Sequence, residues 1–456
     1  MKASQYLLPS FCDLQSQFLT GESTPSLYLE QCIHAIAARE SDIGAFVVMQ
    51  IEVARQAAEQ ASRRWSQGTQ LSCIDGLPIG IKDIIETRDM PTQMGSPVFE
   101  GWSSHRDAAS VAALRECGAI ILGKTVTTEF AAPVPRGTKN PLDHFRTPGG
   151  SSSGSAAAVC AGMLPVAIGT QGIGSILRPA SYCGCIGFKP SLGSINRGGS
   201  HDDLSQSTHG VLASSLSDAW RSVFQIAKLA GGDPGFTGLL GPEGLPNPKK
   251  MSRVAILETA GWSQMEEGVQ QQFESFLLAL TRAGIRLFRR QDSPLLEEAE
   301  IALADALPRS SEINAWESVW PLNDYSLTMR EKLSPLMLER LSFGRKLGVN
   351  GYRSALQQRS KARTTFAKLR SEVDVVLTLS ATGPAPVGLS FTGNTVFNVP
   401  ASYLGVPALS LPLLEVNGLP LGLQCIGFQD FDADLFAFSS WLMAEFAERA
   451  GCASIS

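Results

Sequence analysis

Residues 147 to 220 constrain this chain more than any other stretch. Thr147-Pro-Gly-Gly-Ser-Ser-Ser-Gly-Ser leads into an Ala-rich helix over Ala156 to Ala161. An apolar strand at Val166-Ala-Ile then runs into Gly169-Thr-Gln-Gly-Ile-Gly-Ser-Ile-Leu-Arg-Pro-Ala. Small residues at this density let backbone approach a ligand closely and leave N–H groups free to point at it. Flexible linkers use similar letters, but here an Ala-rich helix and apolar strands interrupt them, and those belong in a packed core.

The flanking sequence alternates strand and helix. Ser23-Thr-Pro starts a helix with apolar positions at Leu29, Ile33, Ile36 and Ala37, and a second helix fits Ile51 to Trp65. Leu77-Pro-Ile-Gly-Ile is a short buried strand running into Lys82-Asp83. Ser110 to Cys117 is a helix closed by Gly118, and Ala119-Ile-Ile-Leu is a strand. Residues 236 to 250 form a surface connection. Val254-Ala-Ile-Leu, a helix near Glu266 to Ala283 and Ile285-Arg-Leu-Phe repeat the strand–helix–strand unit. Residues 296 to 371 are mostly helical. Strand and loop follow Val373, with a last helix near Asp432 to Glu448. This alternation is the α/β signature. At 456 residues the length alone suggests about three domains, yet one large sheet absorbs it. The expectation is one domain over 1–456, with N-terminal helices at 1–70, a core at 75–220 and a variable helical region at 235–370. No internal repeat or low-complexity tail is present.

Composition enters as a set of exclusions. Hydrophobic residues make up 44% and the mean hydropathy is +0.04, which supplies a core and argues against disorder. A net charge of -5 and a pI near 5.7 argue against an electrostatic nucleic-acid binder. No apolar run reaches the ~20 residues of a membrane span; the best, Ala156 to Thr170, is cut by Gly162 and Pro165. The N-terminus lacks the apolar core of a signal peptide. Nine scattered cysteines read as thiols in a reducing compartment, so the expected location is cytoplasmic. Cys183 and Cys185 invite a zinc reading, but no second pair has ligand spacing and the five histidines are dispersed. No metal or other cofactor is expected.

Three motif matches compete. Gly118-Ala-Ile-Ile-Leu-Gly-Lys-Thr125 satisfies the P-loop pattern letter for letter. Its interior is apolar and strand-like, where a phosphate cradle needs a loop with a helix after it, so Lys124 is expected to be structural. Gly150-Ser-Ser-Ser-Gly154 matches the nucleophile elbow of α/β-hydrolases, but no clear strand precedes it, and only His201 and His209 lie downstream. The third reading joins Lys82, the Gly149–Ser155 loop and Gly172-Ile-Gly-Ser175. A serine needs a base to become a nucleophile. A lysine serves where burial lowers its pKa enough to leave a neutral amine. Each residue alone has a bland alternative: a strand-end lysine, a loop serine, a helix N-cap.

Taken together, these residues resemble the amidase signature family, whose fold is a mixed central β-sheet covered by helices on both faces. Gly76-Leu-Pro-Ile-Gly-Ile-Lys82-Asp-Ile resembles its lysine segment, and Gly118 to Thr125 with Glu129-Phe-Ala the segment that follows. Gly149-Gly-Ser-Ser through Pro190 resembles the signature proper, including Cys183-Gly-Cys-Ile-Gly-Phe-Lys-Pro. Leu404-Gly-Val-Pro-Ala-Leu-Ser-Leu-Pro and Gly418-Leu-Pro-Leu-Gly-Leu-Gln-Cys-Ile-Gly resemble its closing strands. The likeness covers nearly the whole chain and is weakest from about 235 to 370. It implies a Ser–cis-Ser–Lys triad with Ser175 as nucleophile, Ser151 preceded by a cis peptide bond, and Lys82 as base. It also implies an oxyanion hole of backbone N–H groups from Gly172, Ile173, Gly174 and Ser175. The commonest family pattern reads Asp-x-Gly-Gly-Ser-x-Arg. Here Gln171 replaces the acid, Ile173 replaces a glycine, and the arginine arrives one place late as Arg178. A β-branched residue is stiff and dislikes φ > 0, so Ile173 either narrows the acyl site or bends the oxyanion loop.

The function expected from this resemblance is hydrolysis of a small-molecule amide through an acyl-enzyme. The alternatives are the amidase-type component of a tRNA-dependent amidotransferase, which passes ammonia to a partner, and a binding protein with a degenerate site. The expected partner is the amide substrate, with no nucleic acid or membrane and with a homodimer left open. Substrate walls are expected from 120 to 145 and 300 to 350. Trp316, Trp320 and Tyr325 are expected to be core rather than pocket.

Overall fold

The computed structural model describes residues 6–447. Its strands are β1 (Phe46–Met49), β2 (Pro78–Lys82), β3 (Ile120–Thr125), β4 (Val166–Gln171), β5 (Ile186–Lys189) and β6 (Thr208–Ala213), then β7 (Arg253–Ile256), β8 (Arg286–Phe288), β9 (Val375–Leu379), β10 (Ala408–Val416) and β11 (Leu419–Ile426). They form one sheet in the order β1-β3-β2-β4-β6-β5-β10-β11-β9-β7-β8. It is mixed: β2 runs parallel to β3 and β4, and β7 parallel to β8 and β9, while the remaining neighbours are antiparallel. Asn417-Gly418 joins β10 to β11 with both residues at positive φ, 54° and 77°, the backbone a two-residue hairpin turn needs.

The two-residue period of the strands divides the core between the sheet's faces. Ile79, Ile81, Val166, Ile168, Val211, Leu377 and Leu409 join one cluster, with Val111, Val223, Phe273 and Leu442 of the helices Ala109–Glu116, Leu216–Ala230, Val269–Arg282 and Asp432–Phe446. Intervening residues face the other way. Leu122, Ala167 and Leu212 pack with the helices Pro25–Ile43 and Ser153–Cys160. Val376 and Ala408 pack with the helices Pro294–Leu303, Ala306–Glu317 and Pro335–Lys368. Helices therefore cover both faces, as the α/β reading expected.

Helix Ser153–Cys160 is buried throughout and lies against the end of β3. A Cβ on Gly154 would stand 2.2 Å from the Ala45 oxygen and 2.3 Å from the Val126 nitrogen. The glycine is there for close approach. Gly154→Ala should lower stability by roughly 1–3 kcal/mol, the cost of overpacking a tight core, measurable as a lower urea midpoint.

Several expectations need correction. The helix Val399–Leu404 went unforeseen, because its six residues include Pro400. Trp320 is 82% exposed, and Trp316 stacks on Tyr352 rather than entering the core. The helix Val319–Thr328 that carries Trp320 buries only Leu322 fully, so it has little inward face to offer. The last helix begins at Asp432 as expected, while Glu448 lies outside the described residues.

Candidate active site

β2 and β4 lie side by side and parallel, so their C-terminal ends deliver Lys82 and Thr170 to the same edge of the sheet. Lys82 is fully buried. Its Nζ lies 2.7 Å from Ser151 Oγ, 2.7 Å from Thr170 Oγ1 and 3.4 Å from the Thr170 carbonyl. Burial pulls its pKa down to about 7, against a smaller upward pull from Asp202. At neutral pH a large share of these side chains is therefore the neutral amine that a proton acceptor must be.

Ser151 follows the cis bond Gly150–Ser151 and is itself buried. The buried Arg178 guanidinium donates to the Gly150 carbonyl at 2.6 Å and to Thr392 Oγ1 at 3.3 Å, and burial pulls its pKa down to about 10. Ser175 is half-buried, and its hydroxyl makes no hydrogen bond to another described residue. The amides of Gly172, Ile173, Gly174 and Ser175 likewise donate to no described residue. Four unspent donors in succession beside a hydroxyl can receive a developing oxyanion.

That loop is held from behind. Gln171 Oε1 accepts from the amides of Ile176 and Leu177 at 2.8 and 3.0 Å, so it caps the helix Leu177–Cys183. Its Nε2 donates to Ser402 Oγ, which donates in turn to the Ile173 carbonyl at 2.8 Å. Gln171 thus performs a capping task open to a carboxylate, without a buried charge. Ile173 is not among the residues at positive φ. Its β-branched side chain therefore does not sit on left-handed backbone, and it packs against the core cluster that contains Leu177.

A cavity of about 560 Å³ opens over these groups. Ser151, Gly172 to Ser175, Arg178 and Asp202 form its floor. Phe130 to Pro133, Leu307 to Ala315 and Leu336 to Phe343 supply walls within the two expected segments. The loop Phe391–Thr395 and Leu204 also line it and were missed. Tyr325 contributes indirectly, stacking on Phe130 with ring centroids 5.6 Å apart.

The competing motifs separate cleanly. Lys124 is buried in β3, 3.2 Å from Asp83, with its Nζ also donating to Thr92 at 2.7 Å. It is a structural ion pair. Ser152, the serine of the elbow pattern, lies 3.4 Å from the Thr170 carbonyl and bonds no histidine. His201 pairs with Glu86 at 3.0 Å, and neither ring nitrogen of buried His209 has a hydrogen-bond partner among the described residues. Cys183 and Cys185 are buried thiols whose pKa burial raises. Among the described residues no three His, Cys, Asp or Glu side chains converge as a metal site, and no helix is long and apolar enough to cross a membrane.

Comparison with known proteins adds lineage to this geometry. The family model described as Amidase matches residues 28–436. A glutamyl-tRNA(Gln) amidotransferase subunit from Chloroflexus aggregans is 32% identical, over 89% of this chain and 90% of that protein. A crystal structure described as an amidase superposes with a TM-score of 0.80 at 28% identity, covering 95% of this chain and 99% of its own. The peptide amidase of Stenotrophomonas maltophilia shares the fold, with a TM-score of 0.79 at 24% identity over 97% and 98% of the two chains.

Proposed function

This chain belongs to the amidase family, and on that premise we propose that it hydrolyses the carboxamide of a small molecule through an acyl-enzyme on Ser175. The observation that carries this reading is the 2.7 Å bond from a buried, pKa-lowered Lys82 to Ser151 on the floor of the cavity that Ser175 also lines. Neutral Lys82 takes the Ser151 proton as Ser151 takes that of Ser175, whose oxygen attacks the amide carbon. The carbonyl oxygen gains the negative charge and meets the amides of residues 172 to 175. The relay then reverses, protonating the leaving nitrogen as the C–N bond breaks. Water, deprotonated by the same relay, releases the acid in the second half-reaction. The test is to label the protein with a fluorophosphonate and map the adduct. Modification at Ser175 supports the reading; modification at Ser152 alone sinks it.

A second reading is supported by the 32% identity to an amidotransferase component. In it the amide is hydrolysed by the same groups, and the ammonia passes to a partner protein. A second protein that co-purifies at fixed stoichiometry and is needed for turnover would favour this reading over the first.

Ile173 bears on acyl range. Its side chain packs against the same core cluster as Leu307, and both residues line the cavity, while its amide stays with the oxyanion loop. Ile173→Gly should therefore raise kcat/KM for bulky acyl groups and leave small ones nearly unchanged. A uniform rise of about 10²–10³, the worth of one oxyanion donor, would instead mean that isoleucine weakens the hole.

A further inference from the structure

Behind Lys82 lies a carboxylate that no motif in the sequence marks. Asp202 sits in the loop before β6 and is nearly buried, on the floor of the cavity. The Thr170 hydroxyl donates to Asp202 Oδ2 at 2.5 Å, and Ser207 Oγ donates to Oδ1 at 2.6 Å. The Asp202 amide is held by Ser200 Oγ at 3.3 Å. Because the Thr170 proton is committed to Asp202, its oxygen is left to accept from Lys82 Nζ, at 2.7 Å. The three groups thus form a directed chain, Lys82 to Thr170 to Asp202, with the negative charge at its far end.

We propose that Asp202, acting through the Thr170 hydroxyl, is a positioning residue for Lys82 and the counter-charge for the ammonium that forms when Lys82 takes the Ser151 proton. The inference rests on the reading of Lys82 as the base. Its physical basis is that a buried ammonium without a compensating charge is costly. Proton uptake by Lys82 creates such a cation inside the protein. The carboxylate offsets it without touching the amine, so Nζ stays free to bond Ser151. The serine anchor matters as well: with Oδ1 held by Ser207, the carboxylate keeps its other oxygen turned toward Thr170.

Other charges face this chain. His209 stands opposite Thr170 on β6, and burial holds its pKa down near 4, so it is neutral during turnover. Arg340, on the helix Pro335–Lys368, lines the cavity and feels Asp202, but the two make no ion pair within 4.0 Å. Asp202 is the charge that favours the protonated form of Lys82.

Asp202→Asn tests the idea, because the amide oxygen can still accept from Thr170 while the charge is gone. The ammonium becomes harder to form, so the acid limb of the kcat/KM–pH profile should move down by about one unit. The plateau should fall about tenfold, since one unit of proton affinity is tenfold in the equilibrium. Thr170→Val, which cuts the link, should move the limb in the same direction, and Thr170→Ser should restore the wild-type profile. A role limited to folding would lower the yield of active protein and leave the limb in place. If the limb stays put in Asp202→Asn, or in Thr170→Val should the first variant not fold, the proposal is overturned. Lys82→Ala separates the two levels. An active Lys82→Ala sinks the reading of Lys82 as base, whereas an inactive Lys82→Ala beside an unmoved limb sinks only the role of Asp202.

Discussion

Replacing Ser175 with alanine is expected to cut kcat for amide hydrolysis by roughly 10⁴-fold or more, the loss typical of a nucleophile in a coupled set. The fold should survive, because the Ser175 hydroxyl spends no hydrogen bond on another described residue and removing it strands no partner. A thermal melt close to wild type, with activity gone, is the expected pair of results. Ser152→Ala makes the useful contrast. That hydroxyl is buried, 3.4 Å from the Thr170 carbonyl, so its loss should show in stability before rate. If Ser175→Ala keeps its turnover and Ser152→Ala does not, the nucleophile has been misassigned.

Lys82→Arg should be as inactive as Lys82→Ala, a loss of about 10²–10⁴-fold for a missing general base. An arginine side chain keeps its proton at any working pH and so has nothing with which to accept another. In the wild type, activity should rise as pH climbs through about 7, where burial has placed the lysine, and level off above it. The sign follows from the proposed chemistry, in which the neutral amine is the working form, and its fraction grows with pH. An arginine variant with wild-type turnover would remove lysine from the mechanism.

What could be read from the sequence follows the range of the interactions involved. Local signals carried well. Thr24 before Pro25 caps the first long helix through the Leu27 amide, and β2 ends at the lysine that the apolar run pointed to. The small-residue segment forms a loop whose amides from Gly172 to Ser175 donate to no described residue, the open backbone its glycines suggested. Long-range assembly carried poorly. The Phe391–Thr395 wall arrives from a segment more than 200 residues from Ser175 and has no motif of its own. Asp202 lies in His201-Asp-Asp-Leu, where two adjacent acids look alike, and only the fold turns one of them toward Thr170. Trp320 was expected inside because large aromatic residues usually bury area; its helix lies outside the layer that contacts the sheet. The direction of the Ile173 side chain depends on the core cluster it packs against, which is assembled from distant segments.

The groups proposed to break the bond and the surfaces that surround it hang from different parts of the molecule. Lys82 and Thr170 are fixed by strand register, and a slip of one residue would turn them to the opposite face. Leu307, Leu336, Phe343 and Phe391 stand on outer helices and a loop that contribute nothing to that register. Mutation can therefore remodel the chamber while leaving the proton path untouched, and the two can drift at different rates in descent. Exchanging the helices over 294–368 between relatives should carry substrate preference with it and leave the reaction behind. Inheritance in such a fold can change whose bond is cut without renegotiating how.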